Sequence, residues 1–95
     1  MIIKCLEFRK LACGTFYGFA DLYLEDYRLE IYGCTLHKND GKTWLNMPSR
    51  SYKNLKGEEK FSPIVRFANP SEYKEFCEEA KKVIQKFIDK EEDEY

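Results

Sequence analysis

The stretch FYGFADLYLE, residues 16–25, alternates between two sets of side chains and predicts a β-strand. Phe16, Gly18, Ala20, Leu22 and Leu24 form one set, and Tyr17, Phe19, Asp21, Tyr23 and Glu25 form the other. Residues two apart point to the same face of a strand. This strand is therefore expected to present apolar surface on both faces.

Similar patterns flank this strand and predict a β-meander. Residues 2–11 form a first strand that turns at Cys13-Gly14-Thr15, and a third strand around residues 28–32 leads to a turn at Asn39-Asp40-Gly41. Asn and Asp tolerate the left-handed backbone that Gly adopts freely, which suits a hairpin. Residues 43–47 follow as a fourth strand, which ends at Pro48.

The rest of the chain predicts one long helix after a polar segment. Residues 49–59 are polar and basic and are expected to be mobile, whereas residues 61–67 predict a short edge strand because Pro63 lacks an amide donor. Asn69 and Pro70 suit the start of a helix. The apolar side chains that follow recur every three or four residues, namely Tyr73, Phe76, Cys77, Ala80, Val83, Ile84, Phe87 and Ile88.

Together these patterns predict an α+β fold, a twisted antiparallel β-meander of four to five strands followed by one C-terminal amphipathic helix. A chain of 95 residues has room for a single domain. We assign residues 1–90 to this sheet-plus-helix domain and residues 91–95 to an acidic tail. The helix is expected to pack its apolar stripe onto the sheet.

Composition predicts a cytoplasmic protein with no membrane partner. The chain has no apolar run of roughly 18–20 residues, and residues 1–5 lack the basic start and apolar stretch of a signal peptide. Its four cysteines are then expected to be reduced thiols. Cys34 and His37 could supply two metal ligands, but a structural zinc site needs four, so we predict no metal and no other cofactor.

The residues also predict a protein that is not an enzyme. A nucleophilic Ser or Cys needs a nearby base, and His37, the single histidine, stands beside a turn sequence and is interpreted as a hairpin-tip residue. Most carboxylates cluster on the helix and the tail, as is usual for a solvated surface. No arrangement typical of catalysis emerges.

The sheet face that the helix leaves open is expected to carry several aromatic side chains, namely Tyr17, Phe19, Tyr23, Tyr32 and Trp44. Aromatic surface of this extent usually meets a partner. A second copy of the chain is one such partner, because two-fold dimers are the commonest oligomers. Unpaired bases that stack on the rings are another. Composition does not separate the two roles.

Charge placement favours nucleic acid. Residues 1–68 contain 11 basic and 8 acidic residues, a net charge of +3, whereas residues 69–95 contain 5 and 9, a net charge of −4. The basic residues between positions 42 and 66 are Lys42, Arg50, Lys53, Lys56, Lys60 and Arg66, and they are interleaved with Trp44, Tyr52 and Phe61. Cations bind phosphates and aromatic rings stack on bases, so this hairpin suits both kinds of contact.

The order of several motifs resembles the bacterial stage V sporulation protein G (septation regulator) family. They are Gly14, Ile31, Asp40-Gly41, the run from Leu45 through Met47-Pro48-Ser49-Arg50, Gly57, Pro63-Ile64 and the closing helix. The resemblance implies a small dimeric sheet-and-helix protein that binds nucleic acid and regulates without catalysis. From its motif we carry over only Arg50, with Ser49 as a phosphate hydrogen-bonder. The overall plan is also similar to single-stranded DNA-binding transcriptional coactivators of the positive-cofactor type.

We therefore predict a homodimer that binds single-stranded DNA or RNA with little sequence specificity, in transcription regulation or in replication and recombination. Bases are expected to stack on Trp44 and Tyr52, with Tyr17 or Tyr32 as further candidates. Ser49 and the six basic residues of positions 42–66 are expected to contact phosphates. The alternative is a protein-interaction module that docks a protein through its aromatic sheet face.

Overall fold

The computed structural model describes residues 1–93. The strands in this part of the chain are β1 (Ile3–Cys13), β2 (Phe16–Leu24), β3 (Leu29–Asn39), β4 (Lys42–Asn46), β5 (Ser49–Lys53) and β6 (Glu59–Pro63), and they precede one helix, α1 (Pro70–Asp93). The first four form an antiparallel sheet in the order β1-β2-β3-β4, while β5 and β6 form a separate two-stranded ribbon. The predicted α+β meander with a C-terminal helix is confirmed, with six strands in two sheets.

A two-residue turn at Asp40 and Gly41 joins β3 to β4. Their φ angles are 50° and 78°, and the flanking residues Asn39 and Lys42 pair with each other. Positive φ at both central residues is typical of the type I′ hairpin turn, and Asp-Gly is a preferred sequence for it. The turn therefore fixes every pairing between β3 and β4.

The core lies between α1 and one face of the sheet. The helix contributes Phe76, Ala80, Ile84 and Ile88 to it, all buried, so the predicted apolar stripe is confirmed. The side-chain oxygen of Asn69 accepts a 2.8 Å hydrogen bond from the Ser71 amide and caps the helix. The helix continues to Asp93, so residues 91–93 of the assigned tail are helical, and residues 94–95 lie outside the described range.

The helix also holds the outer edge of β4. The Tyr73 hydroxyl donates a 3.1 Å hydrogen bond to the Leu45 carbonyl, and the Lys81 ammonium donates one of 3.5 Å to the Thr43 carbonyl. Trp44 lies between Thr43 and Leu45 and forms a hydrogen-bonded pair with His37. The carbonyls of Thr43 and Leu45 therefore point away from β3. Side chains of α1 thus take the place that a fifth strand would occupy.

A β-bulge at the start of β2 reverses part of the predicted alternation. Against β3, Phe16 pairs with His37 and Gly18 pairs with Leu36, so Tyr17 is one extra residue. Phe16 consequently lies on the open face, whereas Tyr17 packs beside the core, 5.7 Å from the ring of Phe8. The prediction that Tyr17 lies on the open face is therefore wrong, and Tyr17 is not placed beside the other candidate stacking rings.

Gly18 is required by close packing between β1 and β2. A Cβ atom at this position would lie 2.5 Å from the Arg9 carbonyl oxygen and 2.7 Å from Cζ of Phe8. We expect Gly18→Ala to lower the free energy of unfolding by about 2 kcal/mol or more, measured by urea denaturation, because the backbone must shift to relieve the overlap. Gly14 has open space around its Cα but a φ of 61°, so Gly14→Ala should cost only about 1 kcal/mol of backbone strain. Equal losses in the two variants would contradict the steric explanation.

Burial of two cysteine thiols should make the free energy of unfolding depend on pH in the alkaline range. All four are free thiols, and Cys34 is fully buried, which raises the pKa of its thiol to about 12. Burial raises the pKa of the Cys5 thiol to about 11 in the same way. A raised thiol pKa means that the folded state resists ionisation, so its contribution is complete below the unfolded pKa near 9 and is lost as pH rises towards 12.

We therefore expect the free energy of unfolding to fall steadily between about pH 9 and pH 11. Cys34→Ala should make this fall shallower, although it lowers stability at pH 7 by leaving a small cavity. Cys13 is exposed, so Cys13→Ala is the matched control and should keep the slope of the parent chain. Urea titrations at several pH values measure both slopes, and identical slopes for the two variants would refute this account.

Residues 49–63, which we call the arm, form a regular ribbon where the sequence predicted a mobile segment and a later strand. The side chain of Asn54 closes its turn by accepting hydrogen bonds of 2.9 Å from the amides of Lys56 and Glu58, and Gly57 adopts a φ of 79°. At the base, the Ile64 amide donates to the Pro48 carbonyl. Every residue of β5 is exposed, so cross-strand pairing rather than burial defines the arm.

No helix within residues 1–93 combines the length and apolar character needed to cross a membrane.

Candidate nucleic-acid interface

A continuous row of rings crosses the open face of the sheet from β2 to β4. The Phe19 and Phe16 ring centroids are 4.8 Å apart, and the Phe16 ring meets His37 edge-on at 5.3 Å. His37 then stacks on Trp44 at 5.4 Å with an interplanar angle of only 6°. One face of the indole is thus covered by the imidazole, while Trp44 remains 37% exposed. The outer face of the indole is the one left open for a further flat ring.

His37 lies within β3 and not at the hairpin tip, because the strand extends to Asn39. Its Nδ1 is 3.4 Å from the Thr15 hydroxyl and its Nε2 is 3.1 Å from the Thr35 hydroxyl. A hydroxyl can donate or accept, so both tautomers of the ring are satisfied. The two threonines therefore fix the imidazole plane against the indole.

An open groove of about 900 Å³ separates this row from the arm. Phe16, His37 and Asn46 line it from the sheet, while Phe61 lines it from the arm and Arg66 lies on the segment that follows. Phe61 is 69% exposed although it is a large apolar side chain. Sites for small molecules and cofactors have volumes of roughly 300–1,000 Å³, so the groove has room for an unpaired base.

The arm presents two different faces. Cross-strand partners share a face, so Ser49, Ser51, Lys53 and their partners Pro63, Phe61 and Glu59 form the side that lines the groove. Arg50, Tyr52 and Lys60 lie on the opposite side, with Tyr52 directly across from Lys60. The Lys60 ammonium is also 3.8 Å from the Glu58 carboxylate, which offsets part of its charge. The basic residues of the arm therefore do not form one surface.

The sequence-predicted site residues fall into three groups. Ser49 and Arg66 line the groove, whereas Lys42 and Trp44 on β4 and Lys53 on the arm lie on the groove side of their strands but outside its lining. Arg50, Tyr52 and Lys60 lie on the outer face of the arm, and Lys56 is in its turn. Tyr32 is 60% exposed, with its hydroxyl bonded to Glu30, and it does not line the groove.

Sequence reasoning missed Phe16, His37 and Asn46 as groove residues, and named Phe61 only as an aromatic between the basic residues. The Asp40-Gly41 turn carried enough information to find one of them. A two-residue turn at that position pairs Asn39 with Lys42 and therefore His37 with Trp44. Phe16 could not be found in this way, because the bulge at Tyr17 is set by packing between strands.

Beyond the row, the open face holds an ion pair whose carboxylate is buried and whose guanidinium is half exposed. Asp21 is 8% exposed and accepts bonds from the Arg9 guanidinium at 3.1 Å and from the Gly33 amide at 2.9 Å. The carboxylate raises the pKa of Arg9, first through the hydrogen bond and then through its charge. The Asp21 carboxylate is thus satisfied within the sheet and links β1, β2 and β3. Within residues 1–93, no cluster of three His, Cys, Asp or Glu side chains is placed to hold a metal ion.

No protein-family model, curated protein or solved structure matches this chain.

Proposed function

We propose that this protein binds single-stranded DNA or RNA without catalysis, and that unpaired bases occupy the groove between the aromatic row and the arm. The observation that carries the proposal is the groove itself, where Phe16 and His37 on the sheet face Phe61 on the arm. Aromatic rings accept any base by stacking, which gives affinity with little sequence specificity. Such an activity is of use in transcription regulation and in replication or recombination.

The cations on the groove side supply the contacts that phosphates need. Lys42 lies on the same face of β4 as Trp44 and two residues from it, and Arg66 lines the groove. Both are exposed, and neither forms an ion pair among the described residues. Ser49 and Asn46 add groups that can bond to a phosphate or a base edge. Bases on the rings and phosphates on these cations are the two contacts that single-strand binders combine.

The outer face of the arm supports a weaker, secondary contact. Arg50 and Lys60 flank Tyr52 there, but Glu58 offsets the charge of Lys60, and Tyr52 is half exposed. A base stacked on Tyr52 would remain open to water on its other side. We therefore assign the principal site to the groove. Variants of Arg50, Tyr52 and Lys60 on the outer face of the arm serve as controls for variants of the groove side.

Fluorescence-anisotropy titrations with labelled single-stranded and double-stranded oligonucleotides test the proposal. Binding to single strands should weaken with salt by about 0.7 in log K per log salt for each phosphate contact. Trp44 is the single tryptophan, so its emission should be quenched when a base stacks on it. Absence of single-strand binding at low salt, or equal binding of duplex without quenching, would overturn the proposal in favour of a protein-docking role.

A further inference from the structure

The turn of the arm carries an apolar side chain that the chain itself leaves uncovered. Leu55 has a relative exposure of 107%, the highest among the large apolar residues. It stands between Asn54 and Lys56 in a ribbon whose strands pair only with each other. An isolated two-stranded ribbon is only marginally stable in water. Contact with a further surface would therefore stabilise the arm.

A second cavity, of about 290 Å³, lies beside the base of the arm. Its apolar lining includes Tyr27, Leu29, Met47, Val65 and Phe67. Tyr27 and Leu29 are 52% and 44% exposed, so the mouth of the cavity is open and apolar. A leucine side chain is of suitable size and character to enter it.

The charges around the cavity and around the arm have opposite signs. Glu72 lines the cavity, Glu25 and Asp26 precede Tyr27 in its turn, and Glu30 follows Leu29. Arg28, Arg66 and Lys4, which lies 4.0 Å from Glu25, are the cations in the same neighbourhood, which leaves a net negative charge of one. Residues 49–63 contain four basic and two acidic residues, a net charge of +2. A docked arm would therefore bring opposite charges together.

The arm cannot fill the cavity of its own chain. Five extended residues span roughly 17 Å, so Leu55 is carried away from the base of the arm, where the cavity lies. A second copy can supply the tip. If two arms lie antiparallel and side by side, the tip of each one reaches the base of the other, which is the arrangement that a two-fold axis produces.

From these observations we infer that Leu55 of one copy docks in the cavity lined by Leu29 and Val65 of a second copy, so that two chains exchange the tips of their arms. The tips alone are too small for a stable interface, which buries at least about 1,200 Å² in total. Contact along the outer faces of the arms and at their bases supplies the remainder, because Tyr52 on the outer face and Ile64 next to the arm are each at least half exposed. Dimerisation of this kind needs no nucleic acid and does not rest on the proposed function, although Arg66 lines both the cavity and the groove.

Sedimentation velocity of the chain without nucleic acid tests this dimer. The parent chain should dimerise, and Leu55→Ser should raise the dimer dissociation constant at least about tenfold by removing the docked side chain. Leu29→Lys should do the same, because it places a cation in the cavity that receives a basic arm. Leu11 is 58% exposed on β1, so Leu11→Ser is the matched control and should leave the constant unchanged.

An equal mixture of the Leu55→Ser and Leu29→Lys chains separates tip exchange from other dimers. In the mixed pair, the intact tip of the Leu29→Lys chain meets the intact cavity of the Leu55→Ser chain. The mixture should therefore contain more dimer than either variant alone. A monomeric parent chain, a dimer that Leu55→Ser leaves unchanged, or a mixture that recovers no dimer would each overturn the inference.

Discussion

Trp44→Ala is expected to weaken single-strand binding about five- to 150-fold, the equivalent of one stacked base at about 1–3 kcal/mol. One base is the appropriate number because His37 covers the other face of the indole. The slope of log K against log salt should hardly change, since an indole carries no charge. Anisotropy titrations at three salt concentrations measure both quantities.

Two further variants make the Trp44 result specific. Trp44→Phe keeps a flat ring and should recover most of the affinity. Tyr52→Ala removes an exposed ring of similar size from the outer face of the arm, and it should reduce affinity by much less. A larger loss for Tyr52→Ala than for Trp44→Ala would move the site from the groove to the outer face of the arm.

The paired change Lys42→Ala and Arg66→Ala should reduce affinity about tenfold to a hundredfold at low salt and flatten the salt slope by about 1.4, as expected for two lost phosphate contacts. Its matched control is the pair Arg50→Ala and Lys60→Ala. Each pair removes one lysine and one arginine, so the net charge changes equally. Any difference in affinity between the two pairs then reflects the position of the lost charges and not the net charge of the protein.

If the groove is the site, the Lys42 and Arg66 pair should show the larger loss and the flatter slope. Similar losses in both pairs would mean that the phosphates respond to the total charge of the chain, and that the groove does not orient the strand. Circular dichroism should show unchanged folding in both pairs, because all four side chains are exposed.

Elements with local signals were predictable from the sequence. The Asp40-Gly41 turn needs residues that tolerate positive φ, and the faces of β4 followed from alternation around Leu45 and Trp44, so both were predicted as they occur. Asn69 and Pro70 likewise marked the start of the helix. In each case a few neighbouring residues determine the backbone, and the rest of the fold only has to be compatible with it.

Features that depend on pairing between distant segments were not predictable in the same way. The bulge at Tyr17 exchanges the faces of Phe16 and Tyr17, and it is set by how β2 meets β3. β5 has no buried residue, so no hydrophobic period marks it. The groove depends on both features, which is why the sequence predicted Arg66 at the groove and Trp44 beside it but not the aromatic walls.

The bonds that Tyr73 and Lys81 make to β4 have a consequence for self-association. An unpaired strand edge is a template on which other strands add, and continued addition produces fibrils. The acceptors at Leu45 and Thr43 already have donors from α1, so an incoming strand gains less by pairing with this edge. Tyr73→Phe would leave the Leu45 carbonyl with only the weak bond from the Cys77 thiol, 3.9 Å away. The helix that covers the core thus also opposes fibril growth at this edge.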